Sequence, residues 1–128
     1  MRGAHLIGHW SRTQQAIALS SCEAELNAIC KAGTEGLGAV NLTIELGCRQ
    51  ILTIKTDASA AVGVVQRQGA GKVKHLEVKQ LWIQELEREG KVKMVKVPRA
   101  INWADLLTHH WNTVEGEVML SGMGLERR

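Results

Sequence analysis

The sequence predicts an α/β domain in which helices pack on a sheet, and three observations point to this fold class. Short runs with strand character alternate with amphipathic runs of helical period along the 128 residues. Hydrophobic residues make up 45% of the chain, which is enough for a folded core. Glycines follow several of the helical runs, where helices commonly stop. We therefore expect one domain over residues 1–111 and a loose tail over 112–128.

The first predicted elements are a short strand at His5–Trp10 (HLIGHW) and a long helix after a polar turn. Ser20 and Glu23 form a capping box, in which each side chain satisfies a backbone N–H of the other residue. The helix continues to Gly47, which ends it. Its apolar face consists of residues at helical spacing: Leu26, Ile29, Cys30, Gly33, Leu37, Val40 and Ile44.

Glycines inside this long helix predict close packing against the sheet. Gly33, Gly36 and Gly38 each cost about 1 kcal/mol relative to alanine, so we expect them to serve a close approach. The sheet strand that follows is Ile51–Thr56 (ILTIKT), and Asp57 closes it.

Two further helices are predicted in the middle of the chain. Ala58–Gln68 forms the first, which a glycine-rich loop at 69–71 ends. The second is amphipathic and stops at Gly90. Its apolar positions are Val78, Leu81, Trp82 and Leu86.

The last predicted elements are a strand and a short helix. Lys91–Val97 alternates as a strand does, and Pro98 breaks it. Asn102 is placed to cap a helix over Trp103–His110. Beyond it the sequence contains glycines and has no clear pattern, which is the reason for the loose tail.

The net charge of +3 is unevenly distributed. Residues 67–99 contain nine Lys and Arg against four Glu, about +5. Such a segment suits a polyanion such as nucleic acid, although a solvated helix face has the same composition. The sequence has neither a signal peptide nor a membrane-spanning run, and its three cysteines lack metal-ligand spacing. We expect an intracellular protein of the cytoplasm or nucleus, with no membrane partner.

Three carboxylates carry the candidate chemistry: Glu25, Asp57 and Asp105. Each lies at or near a predicted helix start, and helix starts that follow strands meet at one edge of a sheet. Several carboxylates together can hold divalent metal ions against a phosphodiester. A shared pocket for these three acids is therefore the central expectation.

Each acid also has a purely structural interpretation. Asp57 stands where a helix N-cap belongs, and Asp105 stands in a first helical turn, where the helix dipole favours an acid. Glu25 lies along the flank of the apolar face, where a carboxylate needs a cation or hydrogen bonds. The lysines and the histidine near the third predicted helix also have a structural interpretation, as solvent-exposed residues of a loop and a helix face.

Four segments resemble the ribonuclease H domain of Ty1/copia-type retrotransposon polyproteins, from about His5 to His110. They are SRTQQAIALSSCEAELNAI, LTIKTDASAAVGVV, GKVKHLEVKQLWIQEL and INWADLLTHH. The resemblance implies a ribonuclease H-like fold that cuts the RNA strand of an RNA:DNA hybrid with two Mg²⁺ or Mn²⁺ ions. In that family the domain belongs to a polyprotein with a reverse transcriptase portion.

The resemblance also assigns residues. Glu25, Asp57 and Asp105 match the metal-binding, catalytic carboxylates of the family. His75 matches a basic segment near the substrate, and we expect nucleic-acid contacts from this region: Lys72, Lys74, His75 and Lys79.

The front of the domain departs from the family pattern. Family members open with a strand that bears the first metal-binding Asp, paired to a second strand, before the segment matching HLIGHWSRTQQ. The chain begins after both, so we expect a truncated domain with an incomplete mixed sheet and three of four metal-binding carboxylates. Cleavage should then be weak or lost. A non-catalytic nucleic-acid-binding module and an inert retroelement remnant are the alternatives.

Overall fold

The structure is a computed structural model of the chain. It describes residues 2, 5–12, 14, 18, 20–67, 78–107 and 110–125. The chain divides into two compact units. Unit 1 comprises Met1–Thr13 and Val97–Arg128, and unit 2 comprises Gln14–Lys96.

Unit 2 contains both helices and strands, which confirms the α/β class of the prediction. Its elements in chain order are α1 (Ser21–Glu45), β1 (Leu52–Thr56), α2 (Ser59–Gln66), α3 (Val78–Arg88) and β2 (Val92–Lys96). Among the described residues, β1 and β2 form a two-stranded parallel sheet, with Leu52 opposite Val92 and Thr56 opposite Lys96. The described part of the chain contains no helix long and apolar enough to cross a membrane.

The ends of α1 and α3 follow the sequence signals. The Ser20 side chain accepts a hydrogen bond from the Glu23 amide at 3.2 Å, which confirms the Ser20 half of the predicted capping box. Gly47 (φ +80°) and Gly90 (φ +72°) follow the two helices in the left-handed region. The amide after each glycine donates to a carbonyl five residues back, at 2.8 and 3.0 Å. Glycine is favoured there because it lacks a Cβ.

Two of the three helix glycines allow α1 to lie close to its neighbours. A Cβ added at Gly36 would lie 2.5 and 2.7 Å from the methyl carbons of Leu52 on β1. A Cβ at Gly33 would lie 2.8 Å from Cδ1 of Ile83 on α3. The expectation was wrong for Gly38, where nothing lies within 4 Å of such a Cβ.

One core cluster joins the three helices to the sheet. It includes β-strand residues that alternate along the chain, so the helices cover one sheet face. The buried members are Leu26, Ile29, Cys30, Ile54, Ala61, Val64, Val65, Ile83, Leu86, Val92 and Met94.

The buried face of α3 differs from the predicted one. Val78 is 83% exposed, and Leu81 and Trp82 are also exposed, whereas Gln80 and Gln84 are buried. Both glutamines are accommodated by hydrogen bonds from their amide groups, which removes the penalty of burial. Gln80 donates to the Asn27 side chain at 3.3 Å and Gln84 to the Val64 carbonyl at 2.8 Å. Hydrophobic spacing alone could not reveal this orientation.

Unit 1 contains two 3₁₀ helices, Arg99–Ile101 and Trp103–Leu107, and the helix α4 (Thr113–Gly122). The single α-helix predicted over Trp103–His110 is thus wrong in type, and 108–109 lie outside the described residues. Asn102 contributes its backbone carbonyl, which accepts from the Asp105 amide at 3.0 Å, because a 3₁₀ turn bonds three residues apart.

Residues expected to form a loose tail contain α4. The Asn112 side chain caps this helix by accepting from the Glu115 amide at 2.8 Å. Gly122 lies so close to Trp103 that a Cβ there would be 2.8 Å from the indole nitrogen. The cap and this contact give order to a sequence without helical periodicity. The boundary between residues 111 and 112 stays a prediction.

The strand predicted at His5–Trp10 is wrong. Residues 6–10 have no regular structure, and His5 forms only an isolated bridge with Arg2, through backbone hydrogen bonds of 3.0 and 3.1 Å. Strand residues become regular when their backbone groups pair with another strand. Within the described residues no strand pairs with this segment.

The close approach of α1 to β1 predicts opposite effects for two alanine substitutions in one helix. Gly36→Ala should reduce the free energy of unfolding by about 1 kcal/mol, since overpacking exceeds the gain in helix propensity. Gly38→Ala, the matched control, should increase it by up to about 1 kcal/mol. Urea unfolding followed by circular dichroism measures both. Equal stabilisation by the two variants would contradict this packing.

Candidate functional site

The two parallel strands of unit 2 end at the same edge of the sheet, which we call the carboxyl edge. It holds the last residues of β1 and β2, Thr56 and Lys96, and the first turn of α2. α1 runs antiparallel to β1, because Gly36 lies beside Leu52 and Gly33 beside Ile54. The amino end of α1 therefore also lies at the carboxyl edge. Ligands of open α/β sheets bind at such edges.

α3 begins near the same edge. The Cys30 thiol donates to the Lys79 carbonyl at 3.4 Å, and Gly33 of α1 approaches Ile83. Both helices thus run in the same direction. Lys79, an expected nucleic-acid contact, is exposed in the first turn of α3. The other three residues of that prediction, Lys72, Lys74 and His75, lie outside the described residues.

Asp57 directly follows β1 and is half-buried. Its interpretation as the cap of α2 is wrong, because Ala58 occupies the cap position without a side-chain hydrogen bond. The Ala58 amide instead donates to the Thr56 hydroxyl at 3.2 Å. Within the described part of the chain, the Asp57 carboxylate makes no hydrogen bond or ion pair.

Glu25 continues the ridge of α1 that packs on the sheet. It lies four residues before Ile29 and eight before Gly33, both of which are buried. Glu25 itself is half-buried, whereas the Glu23 amide, two residues earlier, donates to the Ser20 side chain. The carboxylate is therefore positioned where the core ends and the carboxyl edge begins.

Axial spacing brings Glu25 level with Asp57. The three residues from Ile54 to Asp57 span about 10 Å at about 3.3 Å per strand residue. The same distance along α1 takes about seven residues at about 1.5 Å each. Counting back from Gly33, which lies beside Ile54, reaches the turn of Glu25. The fold thus brings two of the three predicted carboxylates to one end of unit 2.

Asp105 belongs to unit 1 and is described within it. It lies in the second 3₁₀ helix, with 17% of its side chain exposed. Arg99 Nε donates to Asp105 Oδ2 at 3.3 Å, and the Trp111 indole donates to the Asp105 carbonyl at 3.0 Å. The sequence reasoning missed Arg99. In the sequence, Arg99 is only a cation six residues before the acid. The 3₁₀ turns bring the two side chains into contact.

The donor set of the carboxyl edge fits a hard dication. Mg²⁺ and Mn²⁺ take oxygen ligands, and the half-buried carboxylates of Glu25 and Asp57 supply them. No group of three or more His, Cys, Asp or Glu side chains is arranged around a metal site within the described residues. The predicted trio therefore stays a prediction, with two members placed at one edge.

The chain is similar over 100 residues to the "Retrovirus-related Pol polyprotein from transposon TNT 1-94" of Nicotiana tabacum. The two are 30% identical over that stretch, which covers 77% of this chain and 8% of the tobacco polyprotein. The chain is thus related to a region of a retrotransposon Pol polyprotein. No protein-family model matches the chain. No solved structure matches it either.

A dication bound by both Glu25 and Asp57 would make the free energy of unfolding depend on the metal concentration. At a Mg²⁺ concentration tenfold above Kd, binding should stabilise the fold by about 1.4 kcal/mol and raise the melting temperature by a few degrees. Glu25→Gln and Asp57→Asn should each abolish the increase, measured by differential scanning calorimetry. Glu45→Gln, at the far end of α1, serves as the matched control. An increase that survives Asp57→Asn would place the ion elsewhere.

Proposed function

We propose that this chain is a ribonuclease H-type region of a retroelement Pol polyprotein and acts on the RNA strand of RNA:DNA hybrids. The observation that carries the proposal is the placement of Glu25 and Asp57 at the carboxyl edge of a chain related to a retrotransposon Pol polyprotein. The four sequence segments that resemble the copia-type domain include both residues.

The proposed roles follow from chemistry at this edge. Glu25 and Asp57 offer oxygen ligands to Mg²⁺ or Mn²⁺ there. The resemblance assigns the same role to Asp105 of unit 1. When bound, two such ions supply the Lewis acidity that activates water and stabilises the leaving oxygen in phosphodiester hydrolysis. Lys79, exposed at the start of α3, attracts the phosphate backbone toward the same edge.

Weak turnover is part of this proposal, because Asp105 is already paired with a cation. The Arg99 guanidinium, 3.3 Å from the Asp105 carboxylate, competes with a metal ion for that acid. Weak cleavage that depends on millimolar metal is therefore expected.

Cleavage of a defined substrate tests this function. A hybrid labelled on its RNA strand should be cut slowly in Mg²⁺ or Mn²⁺, while the matching duplex DNA stays intact. Asp57→Asn should reduce the rate by at least about a hundredfold, since electrostatic stabilisation of the transition state is lost. Gel electrophoresis of the products gives both rates.

Two controls determine how the result is interpreted. Glu45→Gln should cleave as the parent chain does, because Glu45 lies at the opposite end of α1. Hybrid binding without cleavage, unchanged by Asp57→Asn, would instead favour the non-catalytic binding module. Absence of both binding and cleavage at low salt would contradict the proposal.

A further inference from the structure

A pair of side-chain amides joins the amino ends of α1 and α3. Gln80 of α3 is 1% exposed, and its Nε2 group donates a hydrogen bond to Oδ1 of Asn27 on α1 at 3.3 Å. Burying an amide costs free energy unless its polar atoms are hydrogen-bonded. An apolar side chain of the same size would avoid that cost, whereas a donor such as Gln80 can orient the Asn27 side chain.

This hydrogen bond fixes the direction of the Asn27 amide. The amide is planar, with an acceptor oxygen on one side and an NH₂ group that carries two donors on the other. Because Oδ1 faces Gln80, the Nδ2 group faces away from it. Asn27 is half-buried, and within the described part of the chain its Nδ2 group makes no hydrogen bond. Water satisfies both donors in the free protein, so the bond to Gln80 supplies orientation rather than a missing partner.

Asn27 lies at the same end of unit 2 as Glu25 and Asp57. It precedes Gly33 by six residues, which is about 9 Å along α1 at about 1.5 Å each. Gly33 lies beside Ile54, and Asp57 follows Ile54 by about 10 Å at about 3.3 Å per strand residue. Asn27 comes two residues after Glu25, so it lies on the opposite flank of α1, the flank that packs on α3.

This spacing suits a nucleic-acid strand that crosses the amino end of α1. A helix with its side chains is about 10–12 Å wide, and a duplex strand rises about 3.4 Å per nucleotide. A strand held at Glu25 and Asp57 therefore reaches Asn27 about three nucleotides away. A-form duplexes display the 2′-hydroxyls of RNA in a wide, shallow minor groove, where side chains contact them.

A neutral amide suits the ribose better than the phosphate. Phosphates attract the ammonium group of a lysine such as Lys79, whereas an uncharged N–H gains no such attraction. The 2′-hydroxyl oxygen accepts a hydrogen bond, and its presence distinguishes RNA from DNA. An oriented neutral donor at this position therefore favours an RNA strand over a DNA strand.

We propose that the Nδ2 group of Asn27 donates to a ribose 2′-hydroxyl of the RNA strand, and that Gln80 positions it. The inference rests on the proposed function, which supplies the hybrid as substrate. Asn27 then determines specificity for RNA and is separate from the carboxylates proposed to hold metal. Gln80 acts through the orientation of Asn27 and does not touch the substrate.

Two hybrids that differ at the 2′ position test this contact. One contains an RNA strand, and the other contains 2′-fluoro RNA, whose fluorine accepts hydrogen bonds poorly. Fluorescence anisotropy in EDTA at low salt gives both dissociation constants without metal-dependent cleavage. Asn27→Ala should weaken binding of the RNA hybrid about fivefold, as the loss of one neutral hydrogen bond predicts, and leave binding of the 2′-fluoro hybrid unchanged. The ratio of the 2′-fluoro Kd to the RNA Kd should therefore decrease about fivefold.

Two further variants separate positioning from a general loss of structure. Gln80→Met fills a similar volume without an N–H donor, so the Asn27 amide turns freely and the ratio should decrease as well. A purely structural role for Gln80 would lower the melting temperature and leave the ratio of the parent chain. Asn27→Asp keeps an oxygen for Gln80 but lacks the donor, and it should decrease the ratio as Asn27→Ala does.

The matched control is Asn41→Ala. Asn41 is the other asparagine of α1, is exposed and lies near the opposite end of the helix, so this variant should leave the ratio unchanged. A ratio that Asn27→Ala leaves unchanged, or that Asn41→Ala decreases equally, overturns the inference and leaves the proposed function intact. No binding of the RNA hybrid by the parent chain overturns the inference, and absence of cleavage as well overturns the proposed function.

Discussion

The packing of α1 against β1 is the contact on which the rest of unit 2 depends. Gly36 and Gly33 lack side chains where Leu52 and Ile83 need space, so the helix lies close along the strand. This contact fixes an antiparallel direction and places the amino end of α1 beside the carboxyl end of β1. The same contact determines which sheet face is covered and which stays open. The position of the amino end of α1 at the carboxyl edge thus follows from two glycines.

Local signals in the sequence predicted much of unit 2. The Ser20 cap, the left-handed glycines after α1 and α3, and strand alternation in β1 are short-range features that need no tertiary context. The orientation of α3 was not predictable in this way. It depends on Gln80 and Gln84, whose burial requires acceptors supplied by Asn27 and the Val64 carbonyl from distant parts of the chain.

The sequence predicted which side chains form the candidate site, but only part of how they are arranged. Glu25 and Asp57 were identified from helix starts, and the antiparallel packing of α1 on β1 puts both toward the carboxyl edge. Asp105 was identified from the same kind of signal, but its 3₁₀ environment and its bond to Arg99 come from chain reversal that propensity does not encode. α4 was missed because packing on Trp103, rather than periodicity, defines it.

One measurement tests the proposed shared metal site most directly. Substoichiometric Mn²⁺ broadens nuclear magnetic resonance signals of nearby amides, so ¹⁵N-labelled protein reports where the ion binds. If one ion binds both carboxylates, the amide signals of Glu25 and Asp57 broaden together, and Asp57→Asn removes the effect at both. Broadening at only one of the two, or at neither, would contradict a common ion and leave the relation to the Pol polyprotein without a metal site.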